Sequence, residues 1–235
     1  MFDLKWNTTD DQKKKHLLQS RFFYLLSSLI IYFIGTALLS GNKTTNFINT
    51  FFLAWFIAVS IYPFVKINGI FFLVTVLALA ILGLHFTVIF YRQDEFLFSI
   101  LYLLCAIFLS IITYAVIYHI IRHKRITVDS LFGAICGYFL IGFTWTFFYL
   151  VINVIEPTSF PASMLIGSIH DRTQHFFYFN FTTLTTLGFG DILPLTNIAR
   201  TFAWLEAVCG QIYLAVWISQ LVGLRIAQEI NQSDR

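Results

Sequence analysis

Charge is scarce in this 235-residue chain: Asp, Glu, Lys and Arg make up 11% of it, against 58% hydrophobic residues. That balance departs far from a water-soluble domain, which carries about a quarter charged residues, and agrees with a membrane protein. Cysteine is sparse too. Cys105, Cys136 and Cys209 fall singly inside hydrophobic stretches, which leaves neither metal-ligand spacing nor a case for a disulfide, so they read as small apolar packers. The modest net charge of +3 gives no nucleic-acid reading. Lys13-Lys14-Lys15 instead reads as a topology anchor, with at most a weak contact to anionic lipid head groups.

What the chain has in place of charge is a series of apolar windows near the ~20 residues that cross a ~30 Å hydrocarbon core. Six spans are expected, at about 22–40, 47–65, 69–91, 96–121, 129–155 and 197–224. The first is too long for a signal core and has no evident cleavage site. Turns such as Gly41-Asn42-Lys43 and Pro63 to Gly69 join the first four into two hairpins. Asn42-Lys43-Thr44 matches a glycosylation acceptor by coincidence in so short a loop. Placing the N-terminus in the cytoplasm puts 11 of the 15 basic residues inside and leaves Lys43, Arg92, Arg172 and Arg200 outside, as the positive-inside bias requires. Both termini are then cytoplasmic.

Between the last two spans runs Thr185-Thr186-Leu187-Gly188-Phe189-Gly190-Asp191. A dehydrated cation needs a ring of oxygens in place of its water shell, and backbone carbonyls supply one without adding fixed charge. Turning successive carbonyls toward one axis requires dihedrals that L-residues avoid, so Gly188 and Gly190 fall where they are needed. The Thr186 hydroxyl can add an inner ligand layer. The apolar, aromatic segment from about His175 to Leu184 is expected to be a short re-entrant helix whose C-terminal dipole end favours a cation. The topology puts this filter at the outer mouth.

The stretch resembles the signature of the potassium channel family, Thr-x-Gly-Tyr/Phe-Gly-Asp between an outer, a pore and an inner helix. A chance match at those five positions is on the order of 10⁻⁴ in such a chain, so the motif decides the reading. The resemblance covers about Ser130 to Ile226, and the simple bacterial pore is the most similar. It implies that the carbonyls of Thr186, Leu187, Gly188 and Phe189 line the filter and bind K⁺, and that Gly190 and Asp191 close its outer end. Leu187 replaces the usual Val and Phe189 the usual Tyr, so a hydroxyl that braces the filter is lost. By the same resemblance Tyr178 and Phe179 pack behind the filter, and Thr182 stands where some members place an acid that pairs with the Asp after it. The inner helix carries Pro194, Arg200 and, at the usual hinge position, Gly210, which is either a hinge or a packing contact. Gln211, Leu214 and Ile218 follow at helical spacing and are expected to face the cavity. Glu206, about three turns into that helix, is expected behind the filter, bonded to the pore helix near Thr182 or Thr183, as a polar clamp or a gating group. His85 and His119 are intramembrane candidates for pH sensing or interhelical hydrogen bonds.

The front half lacks the mark of a voltage sensor, since no Lys or Arg occurs from Phe96 to Ile121. It is expected to brace the pore, or to sense a ligand, a lipid or pH. About ten residues follow the last span, too few for a cytoplasmic regulatory domain.

The sequence thus predicts an all-α membrane protein: a cytoplasmic segment 1–21, a four-helix front half 22–125, a pore domain 126–226 and a cytoplasmic tail 227–235. One filter copy per chain implies a homotetramer in a membrane of bacterial inner-membrane type, with K⁺ as the only bound ligand, no organic cofactor, and lipids as the other partners. A non-selective monovalent cation channel is the alternative. Gly188-Phe189-Gly190-Asp191 also fits the Gly-x-Gly-Asp pattern of intramembrane proteases, but that chemistry needs a second carboxylate in the membrane. The first five spans offer only Asp129, at a boundary, so no enzyme is expected. A potassium uptake transporter subunit would carry four degenerate pore copies rather than one full one.

Overall fold

The computed structural model describes residues 21–38, 43–62, 68–90, 94–122, 127–166 and 169–220, with 222, 223 and 226. The Lys13-Lys14-Lys15 anchor, Gly41 and Asn42 of the first turn, Pro63 to Ile67 of the second, the basic Lys124-Arg125 pair and the tail from 227 lie outside them. Five helices come first: α1 (Arg21–Leu38), α2 (Lys43–Ile61), α3 (Asn68–Phe90), α4 (Glu95–Arg122) and α5 (Val128–Ile155). A short 3-10 helix, Ala162–Leu165, leads to α6 (Ile169–Leu184) and then to α7 (Asn197–Ile212), which continues into a π-helical segment, Tyr213–Ile218. Every regular element among the described residues is helical. Among the described residues, four stretches are long and apolar enough to cross a membrane: Gly69–Ile89, Glu95–Ile120, Val128–Ile155 and Asn197–Ile218. The other two expected spans hold shorter apolar helices, Phe22–Gly35 and Thr50–Ile61.

Helix is the form such a sequence must take in hydrocarbon, because it pairs every backbone group within its own segment. The few hydroxyls obey the same demand by bonding one turn back, as Ser60 Oγ does to the Phe56 carbonyl at 2.7 Å and Ser110 Oγ to that of Ala106 at 2.7 Å. Thr127 caps α5 in a reciprocal box with Ser130, which satisfies the first amides of the helix. Next to it, Asp129 Oδ1 accepts from the Phe22 amide at 3.0 Å. The start of α1 is thereby tied to the start of α5, so the two helices begin on the same side.

Helix α5 is the axle of the chain. Its most extensive neighbour is α4, and α1 lies along it as well. Thr113 and Thr144 bridge α4 and α5 at 3.2 Å inside the apolar contact. Phe143 of α5 is 1% exposed and touches aromatic rings from α1, α2 and α6, the nearest being Phe177 with centroids 4.8 Å apart. A second core lies beyond it, where Tyr149, Phe160, Phe176 and Phe179 meet edge to face. Phe160 belongs to the segment after α5. That segment is an ordered cap over its described part: Phe160 and Met164 are buried, and Leu195 N donates to Ser159 O at 2.8 Å.

Candidate functional site

The segment expected to be helical from about His175 to Leu184 is α6, which begins near Ile169, earlier than expected. Its last turn closes on itself: the Thr182 and Thr183 hydroxyls both bond the Phe179 carbonyl at 2.9 Å. The chain then reverses, with Thr186 N donating to Thr183 O at 2.9 Å and Gly188 N to Thr182 O at 3.0 Å. Beyond this reversal, φ is +58° at Thr186, +49° at Gly188 and +79° at Gly190, whereas Leu187 and Phe189 keep negative φ. Alternate left-handed residues turn successive peptide planes the same way, which is what a line of carbonyls facing one axis requires. Two glycines take this conformation without steric cost. Thr186, β-branched, takes it at a cost of about 1–3 kcal/mol, so its surroundings must hold it there.

The outer end is held by Tyr178. Its hydroxyl donates to Asp191 Oδ2 at 2.7 Å, and that bond holds the phenol above its ordinary pKa. Its ring stacks on Phe189 with centroids 6.3 Å apart and planes within 5°. Thr182 does not bond Asp191: its hydroxyl is spent on the α6 backbone, and Tyr178 makes the link. Phe179 is 4% exposed and packs against Tyr149 and Phe160. Leu187 and Phe189 are 59% and 65% exposed in the single chain.

Glu206 is fully buried, but its partner differs from the expected Thr182 or Thr183. Tyr149 on α5 donates to Glu206 Oε2 at 2.5 Å, while Oε1 has no hydrogen-bond partner. The bond thus joins α7 to α5. Asn180, which the sequence reading passed over, is likewise fully buried and binds α6 to α5 through Nδ2 and the Gly142 carbonyl at 2.8 Å. An amide inside the aromatic run Phe176 to Phe181 is the sequence signal. His85 Nε2 is buried without a partner, so the interhelical bond expected of it is not made through that atom; the His119 ring packs on Phe22.

Gly210 is a packing contact. A Cβ there would stand 2.4 Å from the Leu184 carbonyl oxygen, the end of the pore helix. This close approach carries Gln211 to Thr186, where Nε2 donates to Oγ1 at 3.3 Å. Widened i→i+5 turns occupy Tyr213–Ile218. Leu214 is 40% exposed, whereas Ile218 is partly buried against the main core. Tyr213, also missed, is buried, and its hydroxyl donates to the Ala134 carbonyl at 2.7 Å. Gly137 makes room for it, since a Cβ there would lie 2.5 Å from that hydroxyl. A mid-span glycine facing a polar-tipped aromatic is a pair that only the packing reveals.

Comparison with known proteins points the same way. Residues 140–224 match the ion channel family. Over 74 residues the chain is 42% identical to the inward rectifier potassium channel Kirbac3.1 of Paramagnetospirillum magnetotacticum, which is 29% of this chain and 24% of that one. The match thus spans about a quarter of the relative's length. No solved structure matches the chain.

Proposed function

We propose that this chain, which carries the pore module of the bacterial potassium channel family, forms a passive K⁺-selective channel as a homotetramer. Four copies of Thr186 to Gly190 surround the ion, with backbone carbonyls as ligands and the Thr186 hydroxyls as the innermost layer. The alternating positive φ at Thr186, Gly188 and Gly190 is the observation that carries this reading. Helix α6 ends at Leu184, two residues before the filter, so the negative end of its dipole lies next to the inner ion site and favours a cation there. Asp191, held by Tyr178, closes the outer end. The pore needs no organic cofactor. Six spans, with both termini cytoplasmic, put the filter at the outer face of a bacterial-type inner membrane.

K⁺ and Na⁺ flux through purified protein in liposomes tests the proposal, with Gly188→Asp as the destroyed filter. K⁺ flux about tenfold or more above Na⁺, lost in the variant, is the expected result. A second reading, a non-selective monovalent cation channel, is favoured by Phe189, whose side chain is held by stacking on Tyr178 and has no hydroxyl of its own to anchor it. Equal fluxes that vanish in Gly188→Asp would select that reading.

A further inference from the structure

We infer that Gln211 is a positioning residue for the innermost ion site, and that its amide makes the site resist divalent cations entering from the cytoplasmic side. The inference rests on the channel reading above and deepens it. Thr186 is the one described non-glycine residue at positive φ. Two backbone bonds constrain its neighbourhood, Thr186 N to Thr183 O and Gly188 N to Thr182 O, but neither fixes the side chain that carries the inner ligand. Gln211 does, by donating from Nε2 to Thr186 Oγ1 at 3.3 Å.

The contact is built by its neighbours. Gly210 lets α7 run against the Leu184 carbonyl, two residues before Thr186, and any side chain at 210 would push position 211 away. Gln211 is exposed in the single chain, so the bond to Thr186 is what gives its amide a defined place.

The bond has two electrostatic consequences. An oxygen that accepts from Gln211 spends a lone pair and offers a cation a weaker field. The N–H dipole also ends with its positive pole near the site, and its repulsion scales with the charge of the ion. A divalent ion close to K⁺ in size, such as Ba²⁺, therefore loses about twice as much as K⁺ does. Gln211 thus adds a charge filter at the inner mouth to the size and field filter of the carbonyls.

Single-channel recording in planar bilayers, with Ba²⁺ added to one side and then the other, tests this. In Gln211→Leu, or in Gln211→Met should Leu lower the yield, the Ba²⁺ concentration that halves K⁺ current should fall about fivefold, the size of one hydrogen bond's net contribution. Gln211→Glu, which replaces the donor with a carboxylate, should lower it further. Both effects should appear from one side only, whereas a general loosening of the fold would alter block from both. Unchanged Ba²⁺ sensitivity in these variants, beside a wild-type K⁺ current that Gly188→Asp abolishes, overturns the role of Gln211 alone. A wild-type protein without K⁺ current overturns the channel reading itself.

Discussion

Two tyrosine hydroxyls, those of Tyr178 and Tyr149, each bond a carboxylate on a different segment of the chain. Tyr178→Phe removes the bond to Asp191 while keeping the ring that stacks on Phe189, so the outer end should loosen without collapsing. The expected outcome is K⁺ current that decays faster during sustained opening, with little change in initial selectivity, read in the same bilayer recordings. Because the bond raises the Tyr178 pKa, the link is fully present below the ordinary tyrosine value of about 10 and is lost only as pH rises through the shifted one. Alkaline solution up to about pH 10 should therefore leave the wild-type decay unchanged. Tyr149 poses a different case, because its partner is buried. Tyr149→Phe leaves both Glu206 oxygens without a donor and should cost about 1–3 kcal/mol of stability, whereas Glu206→Gln keeps a polar partner and should cost less. Thermal unfolding in detergent orders the two variants, and a Gln variant that is the less stable would refute this account. The residue-scale features of the filter were the most legible from sequence: glycine at alternate positions states its φ requirement openly, as Gly188 and Gly190 show. Thr186 shares that backbone conformation without announcing it, since nothing in a threonine signals a left-handed residue.

At the scale of elements, the inner helix differs most from its sequence reading. A glycine in mid-helix is compatible with a hinge or with a close approach, and only coordinates separate the two. Replacing Gly210 by Ala in an open helix would gain about 1 kcal/mol of helix propensity. Here the new methyl group meets a backbone oxygen that cannot step aside, and overpacking of this kind costs about 1–3 kcal/mol, so the clash wins. Gly210→Ala should therefore lower the unfolding temperature and impair selectivity by displacing the end of α6, while Gly69→Ala, with nothing within 4 Å, should do neither. A Gly210→Ala protein of full stability and intact selectivity that merely gates differently would restore the hinge. The irregular element of this helix is instead the π-helical segment that starts three residues later. Its turns are wider than those of an α-helix, and Tyr213 pins its first residue to the Ala134 carbonyl. Tyr213→Phe releases that latch and should change open probability at an unaltered K⁺/Na⁺ ratio. Periodicity cannot foresee a π segment, because counting residues presumes the 3.6-residue turn that the segment abandons.

For the whole molecule, the question is what the front half does. Its four helices could be counted from hydropathy, but their placement could not be, since apolar residues all round a helix leave no stripe to indicate which side is covered. In the structure α1 and α4 lie directly on the outer helix of the same chain, and Phe33 of α1 touches Phe177 and Phe181 of the pore helix. The wall behind the filter is thus made partly of front-half residues. Without them Phe143 and Phe177 would face lipid, the Thr113–Thr144 bond would be lost, and the hydroxyl of Thr144 would keep only its own helix's Leu140 carbonyl. A pore fragment of residues 126–226 contains every filter ligand, yet by this argument it should not form a conducting tetramer alone. Co-expressed with residues 1–125 it should, because the two parts meet through α4 and α5 and need no peptide bond to do so. Flux from the two-fragment protein and none from the pore fragment would assign the front half to bracing. Equal flux from the fragment alone would detach the front half from the filter and leave it free for sensing.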